Sequence, residues 1–101
     1  VIDGGASMRC ALLGDMLASK ASRNAWSGFV INGCIRDSAE IAAMHLGVKA
    51  LGTHPLKSVK KGAGEKNIAV TFSQVTFRPG AYLYADRDGL VVASGPLPWH
   101  A

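Results

Sequence analysis

A chain of 101 residues, 49% hydrophobic and 18% charged, suits one globular domain with a modest core and leaves no room for a second. Eleven Lys and Arg against seven Asp and Glu give a formal +4. Four of those lysines lie between Lys57 and Lys66, however, in a local basic loop without interleaved aromatics, which argues against direct nucleic-acid binding.

The chain starts at Val1, and Val1-Ile2-Asp3 reads as the end of a strand already under way, so an N-terminal portion is expected to be missing. Gly4-Gly5 breaks that pattern, and the mixed run from Ser7 to Leu13 has no clear period. Helical spacing of Met16, Leu17, Lys20, Ala21 and Asn24 predicts a first helix over Asp15 to Ala25, with Asp15 at the N-cap. Trp26-Ser27-Gly28 then turns into a strand over Phe29 to Asn32, whose unbroken apolar character predicts burial on both faces. A second helix is expected from Asp37, with Ile41, Ala42 and Met44 inward and Gly47 as its stop.

Val48 to Leu51 completes a helix-strand alternation that predicts parallel pairing. The character changes after the turn Gly52-Thr53-His54-Pro55. Lys57 to Asn67 reads as a solvated loop, and its Gly62-Ala63-Gly64-Glu65-Lys66 lacks the ending of a phosphate loop. Four short runs follow, Ile68–Phe72, Val75–Phe77, Tyr82–Ala85 and Leu90–Ala93, separated by turn residues that include Pro79-Gly80 and Asp88-Gly89. They predict an antiparallel β unit. The expected organisation is a domain over 1–94 and a tail over 95–101, ordered if Trp99 finds a neighbour.

No apolar run approaches the roughly 18 residues of a membrane span, and no signal-peptide pattern opens the chain. Cys10 and Cys34 form neither a CxxC motif nor a disulfide framework, which suits free thiols packed in a reducing, cytoplasmic setting. His45, His54 and His100 lack metal-ligand spacing, which argues against zinc. Met8, Met16 and Met44 are most simply core or interface fillers.

The stretch Gly28 to Glu40, GFVINGCIRDSAE, organises the chain: a strand ends at the charged pair Arg36-Asp37 where a helix begins. Asp37-x-x-Glu40 resembles a capping box, a purely structural device. Capping does not account for Arg36, because a cation at a helix N-terminus opposes the macrodipole. Its offset is either Asp37 or a surface ion pair, worth at most about 1 kcal/mol, or else a bound carboxylate. Gly14-Asp15-Met16-Leu17 has the same two readings. Asp15 is a cap, or the helix opening offers free N–H groups to an anion.

The segments CALLGDMLA, WSGFVINGCIRDSAE, GVKALGTHPLKSVKKGAGEKNIAVTF and FRPGAYLYADRDGLVVAS together resemble the RraA-like family, that of regulator of RNase E activity A and the class II 4-hydroxy-4-methyl-2-oxoglutarate aldolases. The resemblance runs almost to Ser94 and includes twenty residues between Asp15 and Arg36-Asp37. It implies an α/β chain with a swivelling β/β/α fold lacking its N-terminal part, and a homotrimeric ring with sites near subunit interfaces. It also implies a lyase that uses Mg²⁺ or Mn²⁺ to cleave a small 2-oxo acid and to decarboxylate oxaloacetate, or else a protein inhibitor of a ribonuclease. By position, Asp37 matches the metal-associated carboxylate and Glu40 an acidic position near the metal. Arg36 matches the substrate-binding arginine, and Gly14, Asp15, Met16 and Leu17 the backbone segment that holds substrate. Asp15 is expected to position a water or to help take the 4-hydroxyl proton. Some relatives carry a demethylmenaquinone methyltransferase label, but no glycine-rich cofactor loop supports it here.

Overall fold

A computed structural model describes residues 1–59 and 64–98. The chain divides into two compact units, Val1–Ala63 and Gly64–Ala101. The first contains β1 (Ile2–Leu13), α1 (Asp15–Arg23), β2 (Gly28–Ile35), α2 (Ser38–Ala42) and β3 (Gly47–Thr53). Its strands form one parallel sheet in the order β1-β2-β3. The α/β alternation expected from the sequence is thus present.

The unassigned N-terminal run is a single long strand. Gly5 and Ala6 both have positive φ, 67° and 61°, and the pairing of β1 with β2 shifts register three times between Asp3 and Leu13. Those bulges erase the alternation that reveals a strand in sequence. Asp3 Oδ1 fixes the first of them, accepting the Gly5 N–H and the Asn32 side-chain N–H, each at 2.9 Å.

Helix α1 is built from good helix formers, with Asp15 in its first turn and Lys20 and Arg23 in its last, all favourable to the macrodipole. It stops at Arg23, short of the expected Ala25. Ala25 is left-handed at φ 62°, its N–H bonds Ser22 O, and the Trp26 N–H bonds Ala21 O. This is a Schellman stop with alanine in the usual glycine place. Ala18 and Ala21 are the helix's buried residues, and their small side chains let it lie close to its neighbours.

Strand β2 extends beyond Asn32 through Ile35, with Val30, Ile31, Gly33, Cys34 and Ile35 buried. The start of the sheet is unusually tight. Gly28 pairs with Gly47, and a Cβ on Gly28 would collide with the Gly47 carbonyl. Gly47 therefore opens β3 and does not end α2, which closes at Ala43. Ile41 is buried on α2 and Met44 packs against the core, but Ala42 is exposed, contrary to its expected inward face.

Leu13, Ala18, Ile31, Ile35 and Ile41 form the core, flanked by Ile2, Leu12, Phe29, Met44, Leu46 and Val48. Each large side chain fully buried there contributes roughly 1.5–3 kcal/mol. Cys34 is fully buried, its thiol donating to Met8 Sδ at 3.3 Å. Met8 and Met16 are exposed, so of the three methionines only Met44 fills the core.

The second unit consists of β4 (Val70–Phe72), β5 (Val75–Phe77), β6 (Tyr82–Ala85) and β7 (Leu90–Ala93). Pairing is antiparallel as expected, in two separate hairpins. Ser73 and Gln74, both at positive φ, make the tight turn of the first hairpin. Phe72 stacks on Phe77 across it at 4.7 Å. Asp86 Oδ1 accepts the Asp88 and Gly89 N–H groups and shapes the turn of the second. Leu97 N–H donates to the Tyr84 hydroxyl at 2.9 Å, which ties down the start of the expected tail. Trp99, His100 and the Gly62-Ala63 end of the glycine-containing loop lie outside the described residues.

Candidate functional site

The site forms where the three parallel strands end together. Leu13 pairs with Ile35 and Ile35 with Thr53, so the residues that follow, Gly14, Arg36 and His54, emerge side by side. Backbone bonds fix this level: Arg36 N–H donates to Leu13 O and His54 N–H to Ile35 O, each at 2.9 Å. The carboxyl edge of a parallel sheet is the usual place for a ligand in such folds. Here a cleft of about 300 Å³ is lined by Arg36, Asp37, Thr53, His54 and Pro55. That volume is at the small end for ligand pockets and suits a metabolite of a few carbons.

Asp37 joins the two helix openings. Asp15 N–H donates to Asp37 Oδ2 at 3.0 Å, across 22 residues of sequence. The N-cap of α1 is Gly14, not Asp15, and has no side-chain cap of its own; the carboxylate of Asp37 supplies one from the next βα junction. The capping box expected at Asp37-x-x-Glu40 is absent as well. Asp37 is left-handed at φ 56°, ψ 41°, and α2 has no side-chain cap bond. Aspartate is one of the few non-glycine residues that tolerate this region, and from it the Asp37 carboxylate reaches the Asp15 N–H of α1.

The Asp15 N–H bond holds the Asp37 carboxyl below its ordinary pKa. Partial desolvation works against this, while the Asp15 side chain and the Arg36 charge reinforce it. Arg36 Nε lies 4.0 Å from Asp37 Oδ2, with the two side chains 35% and 31% exposed. This is a loose ion pair beyond hydrogen-bond range. The bland offset for Arg36 is therefore present but weak. Among the described residues the guanidinium has no hydrogen-bond partner, and its planar donors remain available to a carboxylate.

Gly14 makes room for that guanidinium. A Cβ there would stand 2.8 Å from Arg36 Nε, 3.2 Å from Arg36 Cζ and 3.1 Å from Asp37 Oδ2. Beyond Gly14, the Ala18 N–H returns to Gly14 O, while the Met16 and Leu17 N–H groups have no acceptor among the described residues. Their side chains are exposed, Met16 by 80%. The structure thus brings together Gly14, Asp15, Arg36 and Asp37, with the backbone of Met16 and Leu17 at the helix opening. Glu40 is exposed in the first turn of α2, with no bond to these residues.

Among the described residues no three His, Cys, Asp or Glu side chains cluster as a metal cage. The donor set at the cleft is one ionised carboxylate, Asp37, with Asp15 beside it. Mg²⁺ and similar hard cations accept one or two protein carboxylates and complete their shell with water and substrate oxygens, so these residues fit such an ion.

In the sequence His54 reads only as part of the turn before Pro55, with no local feature that connects it with the site. The available signal was the equal reach of the strands: once β3 runs to Thr53 in register with Ile35, the next residue must meet Arg36.

The RraA-like family model, described as Aldolase/RraA, matches residues 1–92. A protein of Alkalilimnicola ehrlichii named "Putative 4-hydroxy-4-methyl-2-oxoglutarate aldolase" is 61% identical over 97 residues, covering 96% of this chain and 60% of the relative. A solved S-adenosylmethionine: 2-dimethylmenaquinone methyltransferase of Geobacillus kaustophilus is 52% identical with a TM-score of 0.93, covering 95% of this chain and 60% of that one. The RNA-processing inhibitor RraA from Thermus thermophilis is 41% identical with a TM-score of 0.91, covering 94% and 58% respectively. The chain therefore spans about 60% of the length of the curated relatives it matches. The three names describe different activities on one fold, so function has to be argued from the site. With an α/β fold shared along almost its whole length and a family match over residues 1–92, this chain belongs to the RraA-like family.

Proposed function

We propose that this chain carries the site of a divalent-metal-dependent aldolase that cleaves 4-hydroxy-4-methyl-2-oxoglutarate-type 2-oxo acids to pyruvate and also decarboxylates oxaloacetate. The observation that supports this best is the Arg36 guanidinium, unbonded among the described residues and set beside ionised Asp37 and the open N–H groups of α1. That is a receptor for a small carboxylate.

In this reading Arg36 and the Met16 and Leu17 N–H groups hold the 2-oxo acid end of the substrate, and the missing side chain of Gly14 lets them converge on it. Asp15 stands next to Asp37 and takes the 4-hydroxyl proton, directly or through a water. As the C3–C4 bond breaks, its electron pair passes into the 2-oxo group to give the enolate of one pyruvate, while the deprotonated C4 oxygen becomes the keto group of a second. Loss of CO₂ from oxaloacetate leaves the same enolate, so one site serves both reactions. Arg36 neutralises the charge that develops there, and a proton delivered to C3 completes pyruvate. Asp37, with Glu40 as an outer acidic group, would hold Mg²⁺ or Mn²⁺. When bound, such a cation supplies Lewis-acid stabilisation of negative charge on substrate oxygen.

Assembly as a homotrimer, with the exposed Met16 and Leu17 near a subunit boundary, and a cytoplasmic location belong to the same proposal. No helix among the described residues is long and apolar enough to cross a membrane. A second reading, a non-catalytic inhibitor of ribonuclease E, draws on the likeness to the Thermus protein. Stripping the protein with EDTA and restoring Mg²⁺ or Mn²⁺ separates the two. The aldolase reading expects pyruvate release to stop and return, while the inhibitor reading expects ribonuclease binding that is indifferent to metal.

A further inference from the structure

His54 lines the cleft with Arg36 and Asp37, yet the chemistry above leaves it without a task. Its position is closely defined. The backbone N–H donates to Ile35 O, which sets it level with Arg36, and Nδ1 accepts the Leu56 N–H at 3.1 Å. Pro55 restricts the preceding backbone to extended geometry. The chain then bonds to β1 through Ala11 N–H to Leu56 O at 2.7 Å and Ser58 N–H to Ala11 O at 2.9 Å, with Lys57 bridged to Ala11. Since Ala11 also pairs with Cys34 of β2, the segment from Thr53 to Leu56 crosses the carboxyl ends of β2 and β1. An imidazole whose Nδ1 accepts a hydrogen bond carries its proton on Nε2, so His54 has that one ring N–H left to donate.

Among the described residues lining the cleft, Arg36 is the only one with a permanent positive charge. A dicarboxylate brings two anionic ends, and Arg36 with the α1 opening accounts for one. We propose that His54 is a specificity-determining residue whose Nε2–H donates to the carboxylate remote from the 2-oxo acid group. It thereby favours dicarboxylic 4-hydroxy-2-oxo acids over their monocarboxylic analogues. This rests on the aldolase reading of the site.

The test uses the full-length protein with Mg²⁺ and follows the disappearance of 4-hydroxy-4-methyl-2-oxoglutarate, with added pyruvate, which lacks the remote carboxylate, as a competing ligand. His54→Leu is expected to raise KM for the dicarboxylate about tenfold or more while kcat stays within about threefold, the scale of one hydrogen bond to a charged group. The pyruvate inhibition constant should be unchanged, and His54→Gln, which retains a side-chain N–H, should recover much of the KM. An unaltered KM in His54→Leu overturns the proposal. So does a parallel loss of pyruvate affinity, which would mean that His54 only shapes the cleft through Leu56. Arg36→Ala, assayed alongside, separates the two levels. If it abolishes turnover while His54→Leu is silent, only the role of His54 fails; if it retains full turnover, the aldolase reading fails with it.

Discussion

The backbone N–H of Asp15 donates to Oδ2 of Asp37 at 3.0 Å, so the first residue of α1 is capped by the residue that opens α2. One carboxylate thus serves the fold and faces the cleft. Asp37→Ala is expected to lower pyruvate release from oxaloacetate by about a hundredfold, the usual scale for losing a charge-stabilising group. The same substitution removes the cap from α1, so thermal melting should also shift downward. Asp37→Asn retains an acceptor oxygen and should melt closer to the native protein while remaining impaired in turnover.

The pH dependence follows from the same bond. The Asp15 N–H, opposed by partial desolvation and aided by the Asp15 side chain and Arg36, lowers the Asp37 pKa. A carboxylate whose pKa is lower folded than unfolded stabilises the fold above its unfolded value, about 3.9 for aspartate, and loses that contribution as pH falls through the folded value. The melting-temperature gap between the native protein and Asp37→Asn should therefore be level through neutral pH and close in acid. Melting curves over a pH series would check this, and a gap that widened in acid would contradict it.

Gly14 gives a way to disturb the site more than the fold. Its backbone, φ −123° and ψ −176°, is open to any residue, but a Cβ would stand 2.8 Å from Arg36 Nε. The guanidinium is the far end of a flexible side chain and can move away. The same Cβ would stand 3.1 Å from Asp37 Oδ2, so Gly14→Ala should melt slightly below the native protein, less so than Asp37→Ala, and lose about tenfold or more in kcat/KM, as a misplaced positioning group does. Steady-state kinetics and a melting curve on the same preparation test both halves.

The sequence reveals those parts of the fold whose signals are local. The apolar runs of β2 and β3 and the turn pairs around β6 and β7 mark their elements because neighbouring residues alone define them. Strand β1 is hidden by Gly5 and Ala6 at positive φ and by its bulges. The Arg36-Asp37 pair stands out because a cation at a helix opening runs against the macrodipole. The use of Asp37 does not. Asp-x-x-Glu suggests a cap for its own helix, and only the alignment of the strand ends turns that carboxylate to Asp15 instead. His54 is missed for the same reason, since its place beside Arg36 depends on where β3 ends relative to β2.

In the proposed reaction the Arg36 guanidinium receives the 2-oxo acid and steadies the charge formed from it. A coupled assay of pyruvate release from oxaloacetate, run with Mg²⁺ on the native protein and on Arg36→Ala, addresses this most directly. Metal-dependent turnover is expected to fall by about a hundredfold or more in the variant while its melting temperature holds. Native-like turnover by Arg36→Ala would contradict it.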